Sequence, residues 1–147
     1  MPVGDRPGIE SPGDDRTLTV LRERAFAAMD RAYAPYSNFR VGAAILASDG
    51  SVTEGCNVEN AAFPAGLCAE RGAAASAVVR GNRSFETIVI ATEAQDPTPP
   101  CGICRQVLEE FSPRLLVVSV TRDGREARWT LDELLPKAFN PRSLDRR

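Results

Sequence analysis

Apolar positions change period along this chain, and the changes divide it into elements. From Thr17 the residues Leu18, Leu21, Ala25, Ala28, Met29 and Ala32 recur at helical spacing, which predicts an amphipathic helix ending before Pro35. Pro35 to Phe39 is turn-forming and leads into the apolar run Val41–Ala47, expected to be a buried strand. Asp49-Gly50 predicts a hairpin that returns through a second strand from Ser51 to Asn57. Residues 58–66 lack periodicity and read as a loop. It feeds an alanine-rich helix from about Leu67 to Val79, stopped by Gly81-Asn82.

The β-branched run Thr87–Thr92 predicts a core strand, and Pro97, Pro99 and Pro100 forbid regular structure after it. A helix starting near Gly102 then carries Cys104, Val107, Leu108 and Phe111 on one side before Pro113. Leu115 to Thr121 reads as a buried strand, Asp123-Gly124 as a hairpin turn, Glu126 to Thr130 as an edge strand and Leu131 to Leu135 as a last helical turn. Strands alternating with helices imply one α/β domain, a three-layer α/β/α sandwich around a mixed five-stranded sheet. Residues 1–16, rich in Pro, Gly, Asp and Arg, are expected to be a flexible tail, with residues 17–147 forming the domain.

Composition narrows the chemistry. The 147 residues are 43% hydrophobic and carry a formal charge of −2, so attraction to a phosphate backbone or an anionic membrane is not expected. Neither a signal peptide nor a membrane-spanning run is apparent, which predicts a cytoplasmic protein with reduced thiols. Histidine is absent, so acid–base work near neutral pH falls to a carboxylate, a thiolate or a metal-activated water.

Three of the four cysteines lie in two linked stretches, Leu67-Cys68-Ala69-Glu70-Arg71 and Pro99-Pro100-Cys101-Gly102-Ile103-Cys104-Arg105-Gln106. A Cys-x-Glu half followed by a Pro-Cys-x-x-Cys half has the form of a zinc deaminase site, in which the Glu stays off the metal. Cys68, Cys101 and Cys104 supply three sulfurs to a tetrahedral zinc and leave a fourth position for water, as catalytic rather than structural sites do. Glu70 is then the proton carrier, and Arg71 and two helix N-termini offset the excess negative charge. The competing structural site would need Cys56 as a fourth ligand, whereas a cysteine at the end of a predicted strand is an ordinary core residue.

The chain closely resembles the small, three-cysteine cytidine deaminases. The match runs through Pro35–Ala44, Gly55–Ala61, Cys68–Arg71, Pro100–Gln106 and Leu134–Phe139. That resemblance implies zinc-dependent hydrolytic deamination of cytidine and 2′-deoxycytidine to uridine and 2′-deoxyuridine, with release of ammonia, as a step of pyrimidine salvage. It makes Cys68, Cys101 and Cys104 the zinc ligands, Glu70 the shuttle of protons to N3 and the leaving amine, and Arg71 the partner of the thiolates. Phe39 is implied to pack on the cytosine ring, Asn57 and Glu59 to bind the ribose hydroxyl, and Ala69 to contact substrate.

Gln106, Phe63 and Phe139 are implied as supporting residues, the two phenylalanines reaching neighbours in a homotetramer. Phe63 stands where Tyr is common, and Gly72, where Thr or Asn is usual, costs the helix about 1 kcal/mol relative to Ala. Two other readings share these residues: a deaminase of a blasticidin-type cytosine nucleoside antibiotic, and a non-catalytic zinc-stabilised binding protein.

Overall fold

The computed structural model describes residues 13–145, and most of the expected N-terminal tail lies outside them. A five-stranded sheet in the order β2-β1-β3-β4-β5 forms the middle layer. Its strands are β1 (Val41–Ala47), β2 (Val52–Cys56), β3 (Phe85–Thr92), β4 (Leu116–Thr121) and β5 (Glu126–Thr130). Only β3 and β4 run parallel; β1–β2, β1–β3 and β4–β5 are antiparallel, which makes the sheet mixed. Helix α1 (Asp15–Met29) covers one face, and α2 (Ala69–Val79) and α3 (Gly102–Phe111) cover the other. The three-layer architecture is the expected one.

Alternation within the central strands builds both cores. Ala43, Ile45, Ile88, Ile90 and Val117 meet the α2 alanines and Leu108, while Ala44, Leu46, Val89, Val118 and Val120 meet Leu18, Leu21, Ala25 and Met29 of α1. Two glycines let the helices sit close. A Cβ on Gly42 would fall 2.0 Å from the Ala25 carbonyl oxygen, and one on Gly55 would fall 2.3 Å from that of Ala69. Each strand backbone therefore touches a helix backbone directly.

Boundaries differ from expectation in three informative places. Helix α1 begins at Asp15 because the Asp14 carboxylate caps Thr17 N at 2.7 Å, so the described residues 14–16 belong to the helix start rather than to a tail. It ends at Met29, short of Pro35, because Tyr33 leaves to bridge Val58, with Tyr33 N donating to Asn57 O at 3.0 Å and Glu59 N to Tyr33 O at 2.8 Å. Helix α2 starts two residues later than predicted, so Cys68 is its cap rather than part of its first turn. A short helix α4 (Leu131–Leu134) follows β5, and a 3-10 turn over Pro141–Leu144 was not foreseen. Among the described residues, no helix is long and apolar enough to cross a membrane.

Candidate metal centre and substrate cleft

Helices α2 and α3 begin side by side, next to the C-terminal end of β3, and their caps carry the chemistry. Cys68 caps α2 and Cys101 caps α3, both in extended conformation, and Cys104 lies one turn into α3. The three sulfurs lie within 4.8 Å of one another, and Cys68 Sγ and Cys101 Sγ are 3.8 Å apart. Two thiolates bound tetrahedrally at about 2.3 Å from one zinc ion stand about 3.8 Å apart. The sulfur set thus fits the ion in donor type and spacing. Cys56 is outside the cluster: it sits half-buried at the end of β2 in a separate cleft with Arg24, Arg31 and Glu54. The three cysteines singled out from the sequence are the three that lie together here.

Crowding three thiols sets their protonation. The hydrogen bond from the Cys104 thiol and the Arg71 guanidinium hold Cys68 down to about 5. Donation to Cys68 and burial push Cys104 well above the ordinary thiol range. A divalent cation would take the place of the retained protons. Arg71 Nη2 reaches Cys68 Sγ at 3.6 Å and Gly66 O at 3.1 Å, while its Nε is buried without a hydrogen-bond partner. Among the described residues no carboxylate pairs with this guanidinium, so its charge acts on the sulfur.

Glu70 is 5% exposed, and burial raises its carboxyl above the ordinary carboxylate range. Its Oε2, 3.5 Å from Cys104 Sγ, is an alternative acceptor to Cys68 for the single Cys104 thiol proton. A carboxyl so placed, against the sulfur cluster and lining a cleft, can hold and release a proton nearer neutrality than a solvated one.

The cleft beside the sulfurs has a volume of about 320 Å³. Phe39, Asn57, Glu59, Cys68, Ala69, Glu70 and Cys101 all line it, which brings together most of the residues singled out from sequence. Gln106, Phe63 and Phe139 lie outside it. Gln106 Nε2 donates to Phe139 O at 2.7 Å, and the Phe63 ring meets Tyr36 edge-on at 6.1 Å.

The side chains of Asn57 and Glu59 hold the backbone of the segment that carries Phe39. Asn57 Nδ2 donates to Phe39 O and its Oδ1 accepts from Val41 N, both at 2.8 Å. Glu59 accepts from Tyr36 N at 3.0 Å and Ser37 N at 3.1 Å, and the Ser37 hydroxyl holds its carboxyl below the ordinary range.

Sequence reasoning missed several contributors. Val41, Ile90, Thr92, Thr98 and Pro99 also line the cleft, as the strand ends and loop that surround it. Arg105 Nε donates to Pro100 O at 2.7 Å and Nη1 to Leu134 O at 2.9 Å, tying the residue before Cys101 to α4. Its place inside the Cys-x-x-Cys-Arg motif was visible; the long-range carbonyl was not.

Comparison with known proteins agrees with this geometry. Residues 16–120 match the family model described as the cytidine and deoxycytidylate deaminase zinc-binding region. The chain is 44% identical over 118 residues to a cytidine deaminase of Sporosarcina psychrophila, covering 80% of this chain and 87% of that one. A 1.6 Å crystal structure of cytidine deaminase from Burkholderia pseudomallei superposes with a TM-score of 0.79 at 47% identity, covering 82% and 98% of the two chains. A blasticidin-S deaminase of Bacillus cereus is 30% identical over 107 residues, or 67% of this chain and 76% of its own length. The cofactor is zinc, and the chain belongs to the cytidine and deoxycytidylate deaminase family.

Proposed function

We propose that this protein hydrolyses cytidine and 2′-deoxycytidine to uridine and 2′-deoxyuridine, releasing ammonia, and so serves pyrimidine salvage. The observation that carries the reading is a buried carboxyl, Glu70, against a three-sulfur cluster in one cleft. Cys68, Cys101 and Cys104 would hold the ion; when bound, zinc supplies the Lewis acidity that makes water nucleophilic near neutral pH. Water adds at C4, the C4–N4 bond breaks, and Glu70 carries protons to N3 and to the departing amine. Arg71 offsets the sulfur charge. Phe39 packs on the pyrimidine, Ala69 contacts it, and Asn57 and Glu59 bind the sugar hydroxyl with the hydrogen-bonding capacity left over from holding residues 36–41.

A homotetramer is the proposed assembly, in the cytoplasm. Phe63 and Phe139 are 77% and 61% exposed, aromatic surface that a neighbouring subunit would cover. Gln106 supports that surface through Phe139.

The Bacillus cereus relative keeps a second substrate in view, a cytosine nucleoside antibiotic. The Asn57-x-Glu59-Asn60 run beside the cleft favours a ribose-bearing substrate. Turnover of cytidine, 2′-deoxycytidine and blasticidin S should be followed by absorbance at equal concentrations of zinc-loaded enzyme, with metal analysis and sedimentation on the same sample. Cytidine turnover is expected. Turnover of blasticidin S alone would overturn the substrate, and no turnover by zinc-loaded protein would leave a binding protein.

A further inference from the structure

Residues 36–40 form no regular strand or helix, yet side chains hold nearly every backbone group around Phe39. Glu59 takes the amides of Tyr36 and Ser37, the Ser37 hydroxyl takes Phe39 N at 3.0 Å, and Asn57 takes Phe39 O and Val41 N. Asn38, with φ of 54°, adopts the left-handed conformation just before the ring.

Of the two remaining amides, Asn38 N donates to Ala34 O at 3.0 Å and Arg40 N crosses to Glu93 Oε2 at 3.3 Å; the Arg40 guanidinium folds onto the same carboxylate, with Nε 3.0 Å from Oε1. Arg40 lies between Phe39 and Val41, and Glu93 follows Thr92; these three neighbours all line the cleft. One carboxylate therefore joins two sides of the slot.

The loop beyond Glu93 is held at two more points. Arg125 Nη1 reaches Gln95 O at 3.2 Å and Asp96 Oδ1 at 3.0 Å, and Arg105 holds Pro100 O. Thr98 and Pro99, which complete the slot, lie between these anchors.

We infer that Glu93 is a positioning residue for the reaction: through Arg40 it fixes the Phe39 segment against residues 93–100 and so sets the width of the slot that admits the pyrimidine. The inference rests on the cytidine reading. The pair is 39% and 29% exposed, and ion pairs so placed add little to the stability of a fold. Its contribution is to the fit of the slot around the bound pyrimidine, and loss of such uniform binding raises KM while leaving kcat little changed.

Glu93→Ala, Glu93→Gln and Glu54→Gln should be compared with wild type as zinc-loaded enzymes. Glu54 pairs with Arg24 at similar exposure, 33% and 41%, away from this slot, and serves as the control. Glu93→Ala is expected to raise KM for cytidine about fivefold or more, with kcat within about twofold and zinc content and melting temperature unchanged. Glu93→Gln, which keeps an acceptor for Arg40 N–H, should lie between it and wild type, and Glu54→Gln should match wild type. Amide hydrogen exchange over residues 36–41 should speed up in Glu93→Ala.

An unchanged KM with unchanged exchange overturns the inference. So does a joint fall in kcat, zinc content and melting temperature, the mark of a merely structural lesion. If zinc-loaded wild type leaves cytidine untouched, the substrate reading fails, and the exchange measurement alone decides the clamp.

Discussion

Gly55→Ala tests whether the contact between β2 and α2 sets the geometry of the sulfur cluster. A Cβ at this position would lie 2.3 Å from Ala69 O, 2.4 Å from Ala73 N and 2.9 Å from Gly72 C, all backbone atoms that cannot swing away. Restoring ordinary contact requires α2 to retreat by about 1 Å along a well-packed face, and overpacking of that kind costs about 1–3 kcal/mol. At roughly 3 °C per kcal/mol for a domain of this size, the melting temperature should fall by about 3–9 °C. Because the displaced turn carries Cys68, Ala69 and Glu70, kcat should fall too, by about ten- to a hundredfold, and zinc should be held more weakly.

Gly72→Ala supplies the contrast. A Cβ there would meet only Leu67 Cδ2 at 3.5 Å, Gly55 Cα at 3.6 Å and Cys56 O at 3.8 Å, which is ordinary contact, so helix propensity wins and stability should rise by about 1 kcal/mol. Thermal unfolding, zinc titration and cytidine turnover on the two variants check both signs. A Gly55→Ala protein as stable and as active as wild type would refute the reasoning.

Other expectations follow from the same geometry. Glu70→Gln should lower kcat by about 10²–10⁴-fold while zinc stays bound at one ion per chain, measured by steady-state kinetics and metal analysis. Chelation should abolish turnover, with recovery on adding zinc, and Cys56→Ser should leave zinc content unaltered because that thiol lies outside the cluster, whereas Cys104→Ser should lower it. The Glu59 carboxyl should titrate below its ordinary value of 4.5 by NMR, and Ser37→Ala should move it back up. Since its folded value is lowered, the stability it lends is present above the unfolded value and is lost as pH falls through the folded one.

Much of this molecule was legible in the residue pattern because its signals are local. Period-two and period-3.6 runs mark the strands and helices, and the cysteine spacing marks the metal centre. What stayed hidden was long-range. Nothing near Asn57 or Glu59 announces that their side chains hold the backbone at 36–41. Nothing near Glu93 points to Arg40 across 53 positions. The early end of α1 came from a bridge between Tyr33 and Val58, a tertiary contact that overrides the apolar spacing at Ala32. Gly55 reads as a weak strand position in sequence and becomes intelligible only when a helix backbone lies on it.

The two helix caps that bear Cys68 and Cys101 are 33 residues apart, and the whole of β3 lies between them. Only Cys101 and Cys104 are neighbours along the chain; the third sulfur is brought to them by the packing of both helices on a sheet whose central strand lies between β1 and β4. The complete thiol set therefore exists only in the assembled tertiary structure. An ion captured by it should act chiefly as a brake on unfolding, lengthening the lifetime of the native chain while leaving the rate of its formation almost untouched.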